Sequence, residues 1–143
     1  MKVLYITHVT DLAGANRSML QLIKELKENY DVEPFVLYPK IYQNNKTNIK
    51  TELDKLGISS LSHKLTSFKK RDNYGIVDKI RFALLNTLIV LHLLWILRKK
   101  QFDIVHSNSS VIDTGAYLSF FKSIPHVWHL REFGQKDFNL ISC

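Results

Sequence analysis

The apolar residues of this chain alternate between short strand-like runs and longer runs at helical spacing. The strand-like runs cover residues 2–6, 32–38, 58–61, 102–105 and 125–128. Between the first two runs, Met19, Ile23 and Leu26 recur three or four residues apart, which is typical of an amphipathic helix. Strands that alternate with helices form parallel sheets through right-handed crossovers. We therefore predict an α/β fold, with a Rossmann-like parallel sheet in the order 3-2-1-4-5 and helices on both faces.

Two shorter helices are predicted from their end signals. A helix around Ile49 and Leu53 should end at Gly57, because glycine suits the left-handed position just beyond a helix. Ser109 or Ser110 is expected to cap another helix, which continues through residue 122. Both serines can supply the side-chain oxygen that a helix start needs.

The most apolar stretch, residues 82–97, raises the question of a membrane span. It has sixteen residues, fewer than the roughly 20 that cross a bilayer, and Asn86, Thr87 and His92 interrupt it. We predict instead a helix of about 25 residues, 76–100, that is buried or docked on a surface. The polar and basic residues 62–74 before it are predicted to form a long loop.

The charge of the chain is strongly basic, with 20 lysines and arginines against 13 aspartates and glutamates and a formal net charge of +7. This excess favours an anionic partner such as a phosphorylated ligand or an acidic membrane, although a solvated basic face explains it equally well. No nucleic-acid-binding motif is present, and we expect no nucleic-acid partner. The basic residues that flank the apolar helix are Lys64, Lys69, Lys70, Arg71, Lys79, Arg81, Arg98, Lys99 and Lys100.

Cysteine usage bears on the compartment. Cys143 is the single cysteine, which excludes an internal disulfide and a cysteine zinc cluster. Such a chain fits a reducing environment. We expect a cytoplasmic protein, with peripheral contact at the inner membrane face through its basic segments.

Polar clusters follow three of the predicted strands. Thr7 and His8 follow the first, His106, Ser107 and Asn108 follow the fourth, and residues 129–132 follow the fifth. The carboxyl ends of parallel strands lie along one edge of a sheet, where ligands bind in folds of this class. The sequence therefore predicts a ligand site at this edge.

A metal site is one alternative for the same edge. His8, His106 and His129 could supply three ligands, as in some zinc enzymes. However, no metal-type spacing such as His-Glu-x-x-His is present, and strand-end histidines often only bind backbone. The chain also has no Gly-x-Ser-x-Gly signature and no P-loop.

Three blocks together resemble the N-terminal domain of family 4 glycosyltransferases. They are Thr-His followed by AGANRSML in residues 7–20, FDIVHSNS in 102–109, and PHVWHLREF in 125–133. The resemblance implies a GT-B fold, in which two Rossmann-like domains face each other across a cleft. The first domain mainly binds the acceptor and the second mainly binds a nucleotide-sugar donor. It also implies transfer with retention of configuration, without a metal or other cofactor.

The resemblance assigns donor-side roles to the loop after the first strand. Gly14, Asn16 and Arg17 would lie by the donor, with backbone N–H groups near its diphosphate at the helix start. The family commonly has two glycines here, and Ala13 departs from that pattern. A turn glycine that merely permits a positive φ is the alternative for Gly14, and a solvent-facing cation is the alternative for Arg17.

The resemblance also assigns roles at the ends of the fourth and fifth strands. His129 would be catalytic, near the transferred sugar, where an imidazole can exchange a proton at neutral pH. Arg131 and Glu132 would hold sugar hydroxyls or form a structural ion pair. Ser107 and Asn108 would contact the acceptor, although both are also good turn and cap formers.

Length limits what the chain is expected to do. The resemblance covers only the first half of a family 4 enzyme, so residues 1–143 are expected to form one domain, incomplete at its C-terminus, without a donor-binding domain. Such a fragment or split half should be inactive alone and should pair its exposed sheet edge as a homodimer. Its partners would be a nucleotide-sugar donor and a glycan or lipid-linked acceptor. The alternative is a noncatalytic domain that binds anionic ligands or acts as a scaffold.

Overall fold

A computed structural model describes residues 1–40, 48–66 and 75–130, which form one parallel sheet in the strand order 3-2-1-4-5. The strands are β1 (Lys2–Ile6), β2 (Glu33–Pro39), β3 (Ser59–His63), β4 (Ile104–Ser107) and β5 (His126–Trp128). The helices are α1 (Gly14–Asn29), α2 (Ile49–Lys55), α3 (Ile76–Ile96) and α4 (Thr114–Lys122), and a 3₁₀ turn, Leu97–Lys99, follows α3. The predicted fold class and strand order are confirmed.

Helices cover both faces of the sheet, because successive strand residues point to opposite sides. On one face, Val3 and Tyr5 pack in a buried cluster with residues of α1 and α2, among them Met19 and Leu53. On the other face, residues of α3 and α4 pack over Leu4, Ile6, Leu37 and Val105. The two clusters make the sheet the buried centre of the domain.

Two of the strands end two residues later than the sequence predicts. Both β3 and β4 extend two residues further, to His63 and Ser107. In β4 the reason is pairing on both sides, since Ser107 lies opposite Ile6 of β1 and Trp128 of β5. The side chains of His106 and Ser107 therefore point to opposite faces of the sheet. The sequence pattern had placed both residues after the strand.

The start of α4 differs from the prediction. The helix begins at Thr114, and neither Ser109 nor Ser110 caps it. Instead, the Ser109 hydroxyl accepts a hydrogen bond from the backbone N–H of Val111 at 3.3 Å, which forms a local turn. The intervening Val111 and Ile112 are buried in the core. By contrast, Gly57 has φ +60°, so the predicted left-handed end of α2 is confirmed.

Parts of several predictions lie outside the described residues. They include residues 67–74 of the predicted long loop, and residues 131–143, which contain Arg131 and Glu132.

The α3 helix covers the sheet with one of its faces. Together with its 3₁₀ turn, Ile76–Lys99, it is long and apolar enough to cross a membrane by length and composition alone. However, Ile89, Val90 and Leu93 are buried against the sheet residues of the core. The helix is therefore docked on the sheet by this face, in agreement with the predicted buried or surface-docked helix.

Asn86 interrupts the apolar face of α3 because it bridges two other elements. Its Oδ1 accepts a hydrogen bond from the Thr66 hydroxyl at 2.5 Å, and its Nδ2 donates to Asp113 Oδ2 at 2.9 Å. Burial raises the pKa of the Asp113 carboxyl, and hydrogen bonds from the backbone and from Asn86 oppose part of that rise. Asn86 thus joins α3 to the segment after β3 and to the start of α4.

Replacing Asn86 with alanine should lower the free energy of unfolding by about 1–3 kcal/mol, because Thr66 and Asp113 would each lose a partner in a buried setting. Urea denaturation measures the change. The control is Thr87→Ala, since the exposed Thr87 only bonds the carbonyl of Ala83 within the helix, and it should change stability by less than about 0.5 kcal/mol. Equal effects of the two substitutions would contradict the bridging role.

Candidate functional site

The carboxyl ends of β1 and β4 lie side by side at the centre of the sheet. Ile6 pairs with Ser107 in the last register position, and the N–H of Asn108 donates to the carbonyl of Ile6 at 2.8 Å. The chain continues from β1 to α1 on one side of this point and from β4 to α4 on the other. Strand order reverses here, which is where ligands bind in open α/β sheets.

Asn16 braces the loop between β1 and α1. Its Nδ2 donates to the carbonyls of Val9 and Asp11, at 3.0 and 2.6 Å, and its Oδ1 accepts from the Thr7 hydroxyl at 2.6 Å. The side chain is fully buried. Asn16 therefore fixes the path of the loop that leads into α1, and its predicted contact with a ligand stays a prediction.

Asn108 ties the end of β4 to the start of α1. Its Nδ2 donates to the carbonyl of Ala15 at 3.1 Å, across 93 residues of sequence. The side chain is fully buried. The first turn of α1 is thus held from both sides, by Asn16 within its own loop and by Asn108 from the neighbouring strand. A fixed helix start is what a preorganised anion site requires.

The start of α1 is open. In the described part of the chain no side chain caps this helix, and its first turn contains no acidic residue. A Cβ placed on Gly14 would meet no atom within 4 Å, and Gly57, not Gly14, is the glycine of the described residues with a positive φ. The turn-glycine alternative for Gly14 is therefore wrong. Among the described residues, neither packing nor backbone conformation requires glycine here.

Arg17 lies on the first turn of the same helix. Its side chain is exposed, and its backbone N–H donates to the carbonyl of Ala13 at 3.1 Å. A cation gains nothing from the helix dipole at this end. Its proximity to the uncapped helix start adds positive charge to a point that already favours anions.

His129 lies beside His106 at the end of β5. The two imidazole rings are nearly parallel, with an interplanar angle of 14° and centroids 5.7 Å apart. The backbone N–H of His129 donates to the carbonyl of Ser107 at 2.8 Å, which fixes the residue to β4. His106 is itself buried and meets the Tyr5 ring edge-on at 5.2 Å. His129 is half-buried, and its ring is held on one side by His106.

Ser107 turns its hydroxyl to the opposite face of the sheet. Its Oγ shares a hydrogen bond with Nε2 of His126 at 2.9 Å. A Cβ on Gly115 of α4 would lie 2.0 Å from this oxygen and 3.0 Å from the His126 nitrogen. The helix can approach the two strands only because residue 115 lacks a side chain. Burial lowers the pKa of His126, because it disfavours the charged form of the ring.

The sequence did not single out three of these residues. His126 and Gly115 form the packing contact around Ser107, and Trp128 donates its indole N–H to the carbonyl of Ser109 at 2.7 Å. No motif or spacing signals such contacts, because they join residues 8 to 19 positions apart through the stacking of α4 on two strands. A glycine inside a predicted helix, Gly115, was the only available hint.

Metal binding finds no support in the described residues. His106 and His129 come together, but the segments 1–40, 48–66 and 75–130 contain no group of three metal-ligating side chains. The three-histidine alternative therefore has no geometric basis in these segments. The site is better described as an open helix start beside a stacked histidine pair.

Comparison with known proteins gives matches in structure alone. No family model and no curated protein sequence matches the chain significantly. Among solved structures, HepE of Anabaena with UDP-glucose aligns with 90% of this chain at 17% identity and a TM-score of 0.57. MurG of Acinetobacter baumannii aligns with 97% of this chain at 13% identity and a TM-score of 0.58. UDP-GlcNAc 2-epimerase of Neisseria meningitidis, bound to UDP-GlcNAc, aligns with 95% of this chain at 18% identity and a TM-score of 0.54.

These likenesses define the class of fold. The chain has a Rossmann-like fold that resembles one domain of a GT-B glycosyltransferase, since it aligns over most of its length with solved structures that include a glycosyltransferase. It spans 28% of HepE, 39% of MurG and 34% of the epimerase. At such low identity the likeness establishes the fold alone. Membership of family 4 and truncation of the chain stay predictions.

Proposed function

We propose that this chain is the acceptor-side domain of a retaining glycosyltransferase. The enzyme would move a sugar from a nucleotide-sugar donor to a glycan or lipid-linked acceptor in the cytoplasm. A further domain or partner chain would supply the donor-binding half, and this domain alone would be inactive. One observation carries the proposal: an uncapped helix start at Gly14 lies at the strand-order reversal that also brings His129 and Asn108 to the sheet edge.

The open space at Gly14 supports a ligand role for this residue. Glycine disfavours a helix relative to alanine, yet neither its own φ nor packing against residues 1–40, 48–66 and 75–130 requires it here. An approaching diphosphate would require it, because a Cβ would obstruct contact with the first N–H groups of α1. The bound UDP-sugars in the HepE and epimerase structures are consistent with a ligand of this class.

The proposal is tested by titration calorimetry with UDP-glucose, UDP-N-acetylglucosamine and GDP-mannose. Each is added to this chain alone and to the chain mixed with a candidate donor-domain protein from the same cell. Binding and sugar transfer that need both proteins would support a split transferase. Absence of both binding and sugar transfer in every combination would favour the noncatalytic alternative, a domain that binds anions or acts as a scaffold. Because an epimerase shares this fold, the products must be identified as transferred sugar.

Replacing Gly14 with alanine should weaken nucleotide-sugar binding by the assembled enzyme about tenfold or more, which corresponds to roughly 1.4 kcal/mol. The same change should leave the unfolding free energy of the chain unchanged or raise it by up to about 1 kcal/mol, because alanine favours helices. Calorimetry and thermal denaturation measure the two effects.

The matched control for this substitution is Gly75→Ala. Gly75 precedes α3, and of the atoms in the described segments a Cβ there would meet only Asp78 Oδ2, at 3.9 Å. This change should leave nucleotide-sugar binding intact. If Gly14→Ala binds as tightly as the control variant, Gly14 does not approach the ligand.

A further inference from the structure

The outward face of α3 carries a continuous apolar stripe. We define the stripe by its six large apolar side chains, each between 53% and 64% exposed: Val77, Ile80, Leu84, Leu88, Leu91 and Trp95. They recur every three or four residues, so they share one side of the helix. At 1.5 Å per residue the stripe is about 27 Å long. The outward face of a helix that covers a sheet is normally polar, and a contiguous apolar face marks an interaction site.

The first half of α3 projects past the sheet. Asn86 bonds Thr66, which follows β3, and Asp113, which precedes α4, so it lies level with the carboxyl ends of the strands. The ten residues before it, 76–85, continue about 15 Å beyond that level. Consistent with this position, residues 76–81 are all exposed. The stripe therefore passes the level of the edge that holds the candidate site and continues beyond it.

Cations lie at both ends of the stripe. Arg81 follows Ile80, and Arg98 and Lys99 follow Trp95. The Arg98 guanidinium lies 4.6 Å from the centre of the Trp95 ring and donates to the Trp95 carbonyl at 2.8 Å. Within the described helix the single acidic residue is Asp78. An apolar face with basic ends is complementary to a surface that is apolar inside and anionic outside.

We propose that α3 docks this domain on an anionic lipid surface, with the stripe in the interfacial layer and Arg81, Arg98 and Lys99 at the headgroups. A second copy of the chain fits less well, because an isologous contact would bring these cations together in a chain of net charge +7. A membrane-crossing α3 conflicts with the burial of Ile89 and Leu93 against the sheet. Trp95, stacked under Arg98, has the amphipathic character that favours membrane interfaces.

This inference goes beyond the proposed transferase, because lipid docking requires neither a donor nor catalysis. It also has a consequence for the candidate site. Since the stripe passes the level of the carboxyl edge, docking would hold that edge close to the lipid headgroups. An acceptor embedded in the membrane would then reach the site without leaving the lipid.

The test is co-sedimentation of the full chain with vesicles of phosphatidylcholine alone or mixed with phosphatidylglycerol. We expect binding to the mixed vesicles, weakened by salt, and little binding to the neutral ones. Leu88→Gln combined with Leu91→Gln should weaken binding about tenfold or more. Arg81→Gln, Arg98→Gln and Lys99→Gln together should weaken it roughly 100-fold at low salt. All five side chains are exposed, so circular dichroism should show unchanged folding.

Two control variants remove the same number of apolar side chains or cations as the corresponding test variants. Phe120→Gln with Phe121→Gln removes two exposed apolar side chains of α4 outside the stripe. Lys24→Gln, Lys50→Gln and Lys55→Gln together remove three exposed or half-exposed cations from α1 and α2, on the opposite face of the sheet. Both controls should bind the mixed vesicles within about twofold of the unmodified chain, since they leave the proposed lipid contacts intact.

Three results would overturn the proposal. The first is absence of binding to the mixed vesicles. The second is equal weakening by the stripe and control variants. The third is a stable dimer in analytical ultracentrifugation that the Leu88 and Leu91 substitutions dissociate, in a chain that does not pellet with vesicles, since the stripe would then bind a second copy. A failed transferase assay leaves all of these readouts unchanged, so the two proposals are tested separately.

Discussion

Replacement of His129 with alanine is expected to lower sugar transfer by the assembled enzyme about 100-fold or more, the usual cost of losing a group that exchanges a proton with the substrate. The His129 ring rests on His106, and its backbone N–H is fixed to the carbonyl of Ser107. The substitution therefore removes the imidazole and leaves the backbone path intact. Turnover should fall far more than the affinity for the nucleotide sugar, because the ring would act on the transferring group.

The control for this loss is His92→Ala. His92 also has ring contacts, with His63 at 5.0 Å and Trp95 at 6.2 Å, but it lies on α3 on the opposite face of the sheet. Steady-state rates and melting temperatures should be measured for both variants. If His129→Ala keeps its turnover within about threefold of the control, or loses activity only by unfolding, the catalytic role of His129 is wrong.

Replacement of Gly115 with alanine is expected to destabilise the fold by about 2–3 kcal/mol, the cost of overpacking a filled interior. The new Cβ would lie 2.0 Å from Ser107 Oγ and 3.0 Å from His126 Nε2. Rotating the hydroxyl away would relieve the first contact, but it would break the bond between Ser107 and His126 and leave the second. Without these contacts alanine should stabilise a helix by about 1 kcal/mol, so the sign of the change is informative.

A double-mutant cycle makes this prediction specific. Ser107→Ala removes the oxygen that collides with the new Cβ, so the double variant should be more stable than the sum of the single changes by about 1 kcal/mol or more. Urea denaturation of the four proteins gives the coupling. Gly14→Ala is the control, because a Cβ on Gly14 would meet no described atom within 4 Å, and it should not destabilise the fold. Additive effects, or a stabilised Gly115→Ala protein, would mean that α4 does not pack this closely on β4.

The alternation of apolar runs was enough to predict the sheet. The run from Lys2 to Ile6 and the periodic Met19 and Ile23 define a βα unit, and the right-handed crossover rule then leaves few strand orders. Strand ends were less predictable. His106 and Ser107 look like loop residues because they are polar, yet pairing with β1 and β5 keeps them in the sheet.

The site was predictable as a location but not in its contacts. Polar clusters after the strands identified the edge. The sequence could not show that Asn16 and Asn108 brace the start of α1, since both bonds depend on the folded loop and on pairing across the sheet. Nor could it show that Asn86, a polar interruption of an apolar helix, bridges Thr66 and Asp113. Such bonds join elements that are distant in sequence.

The central claim is that nucleotide sugar meets this chain at the start of α1 beside His129. The most direct measurement is a ¹H–¹⁵N spectrum of the labelled chain with its unlabelled donor-domain partner, recorded while UDP-glucose is added. We expect the amides of Gly14, Ala15 and His129 to shift with the ligand, while those of the outward face of α3 do not. Binding that leaves these three amides unchanged and shifts residues elsewhere would contradict it.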